Sequence, residues 1–170
     1  GISDFAITTN DLGETKKYKN PKHLYKSEKK LKKAQRSLSR KQKGGKNRKK
    51  ARIQVAKKHE KIANQRKDFL HKLSKTITDE NQVIVIETLS SKNLMKNHKL
   101  AKSIGDAGWH EFVRQLEYKA KQKGRTIIKA DRFYPSSQIC SACGHRDGKK
   151  PLHIREWNCP NCDKHLDRDI

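Results

Sequence analysis

Apolar residues change their spacing several times along this chain, and each change predicts a different element. Near the start, Ile2 and the run Asp4-Phe5-Ala6-Ile7-Thr8-Thr9 are β-branched and aromatic, Asn10-Asp11-Leu12-Gly13 is turn-forming, and Glu14 to Tyr18 can return. That pattern predicts a β-hairpin over residues 1–20. From about Pro21 the period lengthens: Leu24, Leu31 and Leu38 recur every seventh residue among Lys, Glu, Gln and Arg, which predicts a helix to about Gln42. Lys43-Gly44-Gly45-Lys46-Asn47 interrupts it, and a longer helix follows to about Ile77. Val55, His59, Ile62, Arg66, Phe69, Leu70, Leu73 and Ile77 fall along one stripe of that second helix. Two antiparallel helices joined by a Gly-Gly turn make a helical hairpin.

Gln82 to Glu87 is the clearest strand, a continuous aliphatic run expected to be buried on both faces as in the centre of an α/β sheet. It ends at Glu87, and open α/β sheets carry functional groups at the carboxyl ends of their strands; a solvent-facing strand-end Glu is the equal alternative. A polar loop through Lys99 leads to a helix from about Asp106 to Lys123, with Trp109, Phe112, Val113, Leu116 and Ala120 as its apolar stripe. Gly124 ends it, Thr126 to Lys129 form another strand, and Tyr134-Pro135-Ser136-Ser137 turn the chain onward. Strand, helix, strand in that order predicts an α/β sheet with crossover helices.

Charge alters this picture more than composition does. Among 170 residues, 32% are hydrophobic and 35% charged, and the formal net charge is +24. Residues 26–58 hold sixteen Lys and Arg against the single acid Glu28, whereas residues 140–170 hold six bases and five acids. The helical hairpin therefore concentrates the charge. With so few acids to form i,i+4 pairs, self-repulsion disfavours it unless a polyanion is present, so nucleic acid is the expected partner and a solvated helix face the alternative. Lys46, Arg48, Lys49, Lys50 and Arg52 are the candidate phosphate contacts. An anionic membrane is the rival partner, but no apolar amphipathic face accompanies the charge, and the longest aliphatic run, Val83-Ile84-Val85-Ile86, is far too short to span a bilayer.

All four cysteines lie near the end, as Cys140-Ser-Ala-Cys143 and Cys159-Pro-Asn-Cys162. A two-residue spacer lets both thiolates of a knuckle turn onto one ion, so the two knuckles predict a structural four-thiolate zinc site. A disulfide scaffold is the alternative, disfavoured by the lack of a signal-peptide pattern; paired free thiols suit a reducing cytoplasm. His145, His153 and His165 are close in sequence, but four thiolates already fill the shell.

Several segments together resemble one family. Val83-Ile84-Val85-Ile86-Glu87-Thr88-Leu89, Asp106-Ala107-Gly108-Trp109, Ser136-Ser137-Gln138-Ile139-Cys140-Ser141-Ala142-Cys143-Gly144 and His165-Leu166-Asp167-Arg168-Asp169-Ile170 all look like TnpB, the OrfB-type transposase of insertion sequences. That family is similar to the nuclease half of type V CRISPR effectors. The resemblance implies an α/β, RNase H-like (RuvC-type) mixed sheet. Its core would take residues 1–20 and 80–135, with an inserted basic helical hairpin over 21–79, an inserted zinc ribbon over 136–165, and the start of the last catalytic helix at 166–170. It further implies an RNA-guided DNA endonuclease of the bacterial or archaeal cytoplasm, with DNA and guide RNA as partners. In such a nuclease, three carboxylates hold two magnesium ions. Glu87 matches the family's strand-end glutamate and Asp169 its final aspartate, while Asp167 would help start the last helix electrostatically. The family's first catalytic aspartate, in a D-x-G-I pattern, would fall two residues before Gly1, and Asp4 and Asp11 do not match it. The chain is therefore expected to be an incomplete nuclease domain. A non-catalytic nucleic-acid-binding module and a ribosome-associated zinc-ribbon protein are the competing readings. Neither needs Glu87 or the Asp-Arg-Asp ending. The transposase label implies DNA recombination, though the chain shows no tyrosine-nucleophile motif.

Overall fold

The computed structural model describes residues 4–151 and 153–167. Its elements run β1 (Asp4–Thr9), β2 (Thr15–Lys19), α1 (His23–Ser39), α2 (Lys46–Glu80), β3 (Val83–Ile86), α3 (Ser91–Leu94), α4 (Ala101–Ala107), α5 (Trp109–Gln122), β4 (Thr126–Lys129), β5 (Glu156–Asn158) and β6 (His165–Asp167). The six strands form three two-stranded sheets: β1 with β2 and β5 with β6 antiparallel, β3 with β4 parallel. The chain divides into two compact units, one of residues 21–129 and one of residues 1–20 with 130–170.

In the helical unit, α2 is 35 residues long, about 52 Å at 1.5 Å per residue. It packs against α1 and against α5. The heptad leucines and the second-helix stripe meet as predicted: Leu31, Val55 and Ile62 are buried together, with Leu24, Ala34 and Leu38 at their margin. Towards its other end, α2 buries Leu70, Leu73 and Ile77.

The seam between α2 and α5 is largely polar. Ser74, Thr78, Gln115 and Lys119 are all buried. Lys119 Nζ donates to the His71 carbonyl and to Ser74 Oγ, both at 2.7 Å. Ser74 Oγ also lies 3.1 Å from Gln115 Oε1, whose amide nitrogen donates to Glu111 Oε1 at 2.9 Å. Thr78 Oγ1 donates to the Ser74 carbonyl at 2.9 Å and accepts from Lys123 Nζ at 3.2 Å. Burial pulls the Lys119 amine below its ordinary pKa, and the nearby Lys123 and Lys75 act in the same direction. The buried face of α5 is thus turned from the expected one: Phe112, Leu116 and Ala120 lie on it, but Gln115 and Lys119 replace Trp109 and Val113, which are only half-buried.

The helix expected from Asp106 is broken. Gly108, at φ 71°, closes α4 and opens α5. A Cβ there would sit 3.3 Å from Arg66 Cδ and 3.5 Å from Leu70 Cδ1, so the position favours glycine on backbone and packing grounds alike. Asp106 just before it ties three helices together. One carboxylate oxygen accepts from the Leu24 amide at 3.0 Å, in the first turn of α1, which has no side-chain cap of its own. The other accepts from Arg66 at 2.7 Å, and the Asp106 carbonyl accepts from Arg66 Nε at 2.8 Å. Replacing Asp106 with Ala leaves the Arg66 guanidinium, 29% exposed, without its counter-ion and strips the helix of its cap. The expected loss is about 2–3 kcal/mol, below the range for a fully buried pair because Arg66 still reaches water. Urea denaturation followed by far-UV circular dichroism measures it; an unchanged midpoint refutes the tie, and Asp106→Asn should cost less because an acceptor remains.

β3 departs from expectation. Ile84 is buried, yet Val83 is 55% and Val85 65% exposed. In register, Ile84 faces Ile127, while Val83 and Val85 stand beside Thr126 and Ile128, also exposed. A two-stranded parallel pair buries the face its helices cover and leaves the other open.

In the other unit, Asn10 Oδ1 accepts from the Leu12 and Glu14 amides, at 3.1 and 2.8 Å, to close the predicted hairpin. Cys140, Trp157, Cys159 and Leu166 form a small buried cluster.

Candidate functional site

The four cysteines converge as their spacing predicts. Cys140 and Cys159 are buried, Cys143 and Cys162 exposed, and all four thiols are free. The two knuckles fold alike. The Cys140 amide donates to the His145 carbonyl at 2.8 Å and the Gly144 amide to the Cys140 carbonyl at 2.9 Å. In the second knuckle, the Cys159 amide donates to the Lys164 carbonyl at 3.0 Å and the Asp163 amide to the Cys159 carbonyl at 2.8 Å. Each turn needs a left-handed residue after its second cysteine: Gly144 at φ 72° and Asp163 at φ 57°. Aspartate is among the few side chains that tolerate that region.

The sulfur atoms lie within 4.8 Å of one another, with Cys140 to Cys162 at 3.6 Å and Cys143 to Cys159 at 3.7 Å. A tetrahedral ion with metal–sulfur bonds of about 2.3 Å has sulfur–sulfur edges of about 3.8 Å, so the cage matches a four-thiolate site. A disulfide would need about 2.05 Å. Proton affinities point the same way. The backbone at His145 and then the Asn161 amide bring Cys143 down to about 6. Cys162, despite the Lys164 backbone that favours its thiolate, is pushed up to about 12 by the surrounding thiols, Cys143 first. Four sulfurs this close cannot all ionise without a cation among them. The histidines stand apart from the cage: His165 Nδ1 lies 2.7 Å from Asn158 Oδ1, and His153 is exposed.

Beneath the knuckles, Lys150 Nζ sits 3.5 Å over the Trp157 ring and 3.1 Å from Asp147 Oδ2. The cation–π contact lets the lysine stem cover the small core of the ribbon. The ribbon also runs further than expected. Leu166 is buried in its cluster and Asp167 is paired with Glu156 in the β5–β6 ladder, so these two residues are strand and not the beginning of a helix. Asp167 binds Lys17 at 2.8 Å, and the helix it is expected to start lies outside the described residues. Asp169 lies outside the described residues.

Glu87 follows the last residue of β3, at the carboxyl end of the parallel pair, and is exposed. Among the basic candidates, Lys46, Lys49, Lys50 and Arg52 are exposed on α2, whereas Arg48 is half-buried. Its guanidinium donates to the Leu38 carbonyl at 3.0 Å and the Lys41 carbonyl at 2.9 Å, closing the end of α1. Helical geometry separates these roles. At about 100° per residue, Lys46, Lys49 and Lys50 share the face opposite Val55 and Ile62, while Arg48 points with the apolar stripe. Arg48 is accordingly a structural cap.

The described residues thus combine a strand-end carboxylate on a parallel pair, a strongly basic helical hairpin and a four-cysteine cluster spaced to hold one metal ion, in a mixed α/β fold. The chain belongs to the OrfB_IS605 family, described as a probable transposase, whose pattern its residues 1–98 match. Residues 109–170 match the Cas12f1-like TNB domain. The chain is 49% identical over its whole length to a protein of Streptomyces pristinaespiralis named as an RNA-guided DNA endonuclease, of which it covers 42%. Over 128 residues, 66% of the chain, it is 33% identical to InsQ of Escherichia coli K12, named likewise, covering 32% of that protein. The chain thus spans less than half the length of these relatives. Its fold matches a chain of the Cas12f1–sgRNA–target DNA complex with a TM-score of 0.66 at 20% identity, over 99% of this chain and 45% of that one. Among the described residues, no helix is long and apolar enough to cross a membrane.

Proposed function

We propose that this chain is part of an RNA-guided DNA endonuclease of the TnpB type, acting in the bacterial or archaeal cytoplasm with DNA and a guide RNA as partners. The observation that carries the reading is Glu87, an exposed carboxylate at the carboxyl end of a parallel strand in a member of this family. The complete protein has an RNase H-like mixed sheet drawn from residues 1–20 and 80–135, with residues 21–79 as the helical insertion and the ribbon after residue 135. The open apolar face of Val83, Val85 and Ile128 supports this, because parallel strands are normally covered on both sides. Glu87 and Asp169, with a third carboxylate, hold magnesium, which supplies the charge that activates water and stabilises the leaving oxygen. Cys140, Cys143, Cys159 and Cys162 hold a structural zinc. The complete protein assembled with its guide should cut matching DNA in magnesium and not in a chelator; no cleavage under any divalent ion refutes the reading.

The basic hairpin grips phosphates through Lys46, Lys49, Lys50 and Arg52. Changing these four to Gln should weaken binding and flatten its dependence on salt, by about 0.9 in log–log slope for each duplex phosphate no longer neutralised. Fluorescence anisotropy across a salt series measures the slope, and an unaltered one reduces the block to a solvated face. Arg48→Gln should instead lower the melting temperature with little change in slope.

A further inference from the structure

Immediately before the ribbon, the chain displays two largely exposed aromatic rings. Phe133 is 82% and Tyr134 57% exposed. Their turn is firmly built: the Phe133 amide donates to Asp131 Oδ1 at 2.7 Å, the Tyr134 amide to the Asp131 carbonyl at 3.1 Å, and the Ser136 amide to the Tyr134 carbonyl at 2.9 Å. Pro135 then leads into a short 3-10 helix, Ser136–Gln138. These hydrogen bonds define the turn that carries the two exposed rings, and Arg132 lies 5.5 Å from the Phe133 centroid. Exposed aromatics beside a guanidinium, in a chain of net charge +24, suit a ligand that is both flat and anionic. Unpaired nucleotides meet both conditions, since every base has a π-face and every linkage a phosphate.

We propose that Phe133 and Tyr134 are a stacking platform for unpaired bases of single-stranded DNA, with Arg132 engaging the adjoining phosphate. The proposal rests on the reading of an RNA-guided DNA endonuclease. Such a protein pairs its guide with one DNA strand and displaces the other, so unpaired DNA is a ligand it must hold besides its own RNA. Duplex bases are hidden in the stack and offer nothing to these rings.

The test uses the zinc-loaded 170-residue chain and a fluorescein-labelled single-stranded DNA, with its duplex, its RNA counterpart and an abasic version as further probes. Phe133→Ala/Tyr134→Ala should weaken single-stranded DNA binding roughly 5- to 150-fold per stacked base, leave the salt slope unchanged, and alter duplex and abasic binding less than about twofold. Phe133→Trp should retain binding. In the unaltered chain, DNA carrying 5-iodouracil should photo-crosslink to Phe133 or Tyr134, a readout that needs no variant to fold. Equal weakening for single strand and duplex, weakening confined to RNA, or crosslinks only elsewhere overturns the platform. If the unaltered chain binds DNA in a salt-dependent way while the double variant matches it, the platform fails and the nucleic-acid reading stands. If the unaltered chain binds no nucleic acid, that reading fails too.

Discussion

Chelating the proposed structural zinc should unfold the ribbon and leave the helical unit standing. The ribbon's buried cluster consists of Cys140, Trp157, Cys159 and Leu166, with Ile154 against it, and two of those five are proposed ligands. Burying Trp157 and Leu166 contributes only about 1.5–3 kcal/mol each, far less than the cost of ordering some thirty residues of short strands and turns. A structural zinc contributes about 10–16 kcal/mol in comparable small sites, so the metal decides whether this segment folds. The helical unit has its own core along α2 and its own polar seam, neither of which involves the cysteines. On chelation, far-UV circular dichroism should therefore keep its helical signal. Trp157 should move into water and shift its emission to the red, while Trp109, in the other unit, contributes a constant background. Cys159→Ser should reproduce the chelated state without chelator. X-ray absorption should give a first shell of four sulfurs. Oxygen in that shell, or an unshifted tryptophan spectrum after complete metal removal, would rule out a structural zinc.

The sequence made some of this legible and hid the rest for physical reasons. Cysteine spacing is almost a geometric statement: two intervening residues permit one kind of turn, so the cage of Cys140, Cys143, Cys159 and Cys162 could be read without a structure. The heptad of Leu24, Leu31 and Leu38 likewise reports a helix face, because nothing else in that basic stretch is apolar at that spacing. Long polar side chains carry no such signature. Lys119 and Gln115 read as surface, yet they are buried because Ser74, Thr78 and the His71 carbonyl wait for them on α2. Their i,i+4 spacing opposite another i,i+4 pair of hydroxyl residues was the available signal. Charge alone puts Arg48 among the phosphate contacts, and only its position on the helical wheel separates it from Lys49 and Lys50. Asp106 shows the reverse. Its motif with Gly108 is visible, but its work, bracing α1 and Arg66, depends on residues forty and eighty-two positions away that no local pattern encodes. Val83 to Ile86 reads as a buried strand because its run is continuously aliphatic, yet in the two-stranded pair only Ile84 is fully buried.

In the complete protein assembled with its guide RNA, Glu87→Gln should abolish DNA cleavage and leave DNA binding within about twofold. The substitution keeps the size and shape of the side chain and removes one negative charge from the carboxyl end of β3. Two divalent ions about 4 Å apart repel each other strongly, and bridging carboxylates must offset that repulsion. Losing one such charge should empty or displace an ion, and the several kcal/mol it supplies to the transition state correspond to at least about 10³-fold in rate. Asp169→Asn should act with similar force if its carboxylate shares the same ions. Asp167→Asn is the discriminating control. It breaks an exposed ion pair with Lys17 within the same unit, an interaction worth little in water, so cleavage should fall only slightly. The proposed phosphate contacts on α2 remain in all three variants, which is why binding should persist. Single-turnover cleavage in magnesium, read beside anisotropy on the same preparations, separates the two effects. Full activity in Glu87→Gln would remove the strand-end carboxylate from the chemistry and put the metal-holding carboxylates elsewhere; no cleavage even by the unaltered protein would favour a chain that binds nucleic acid without cutting it.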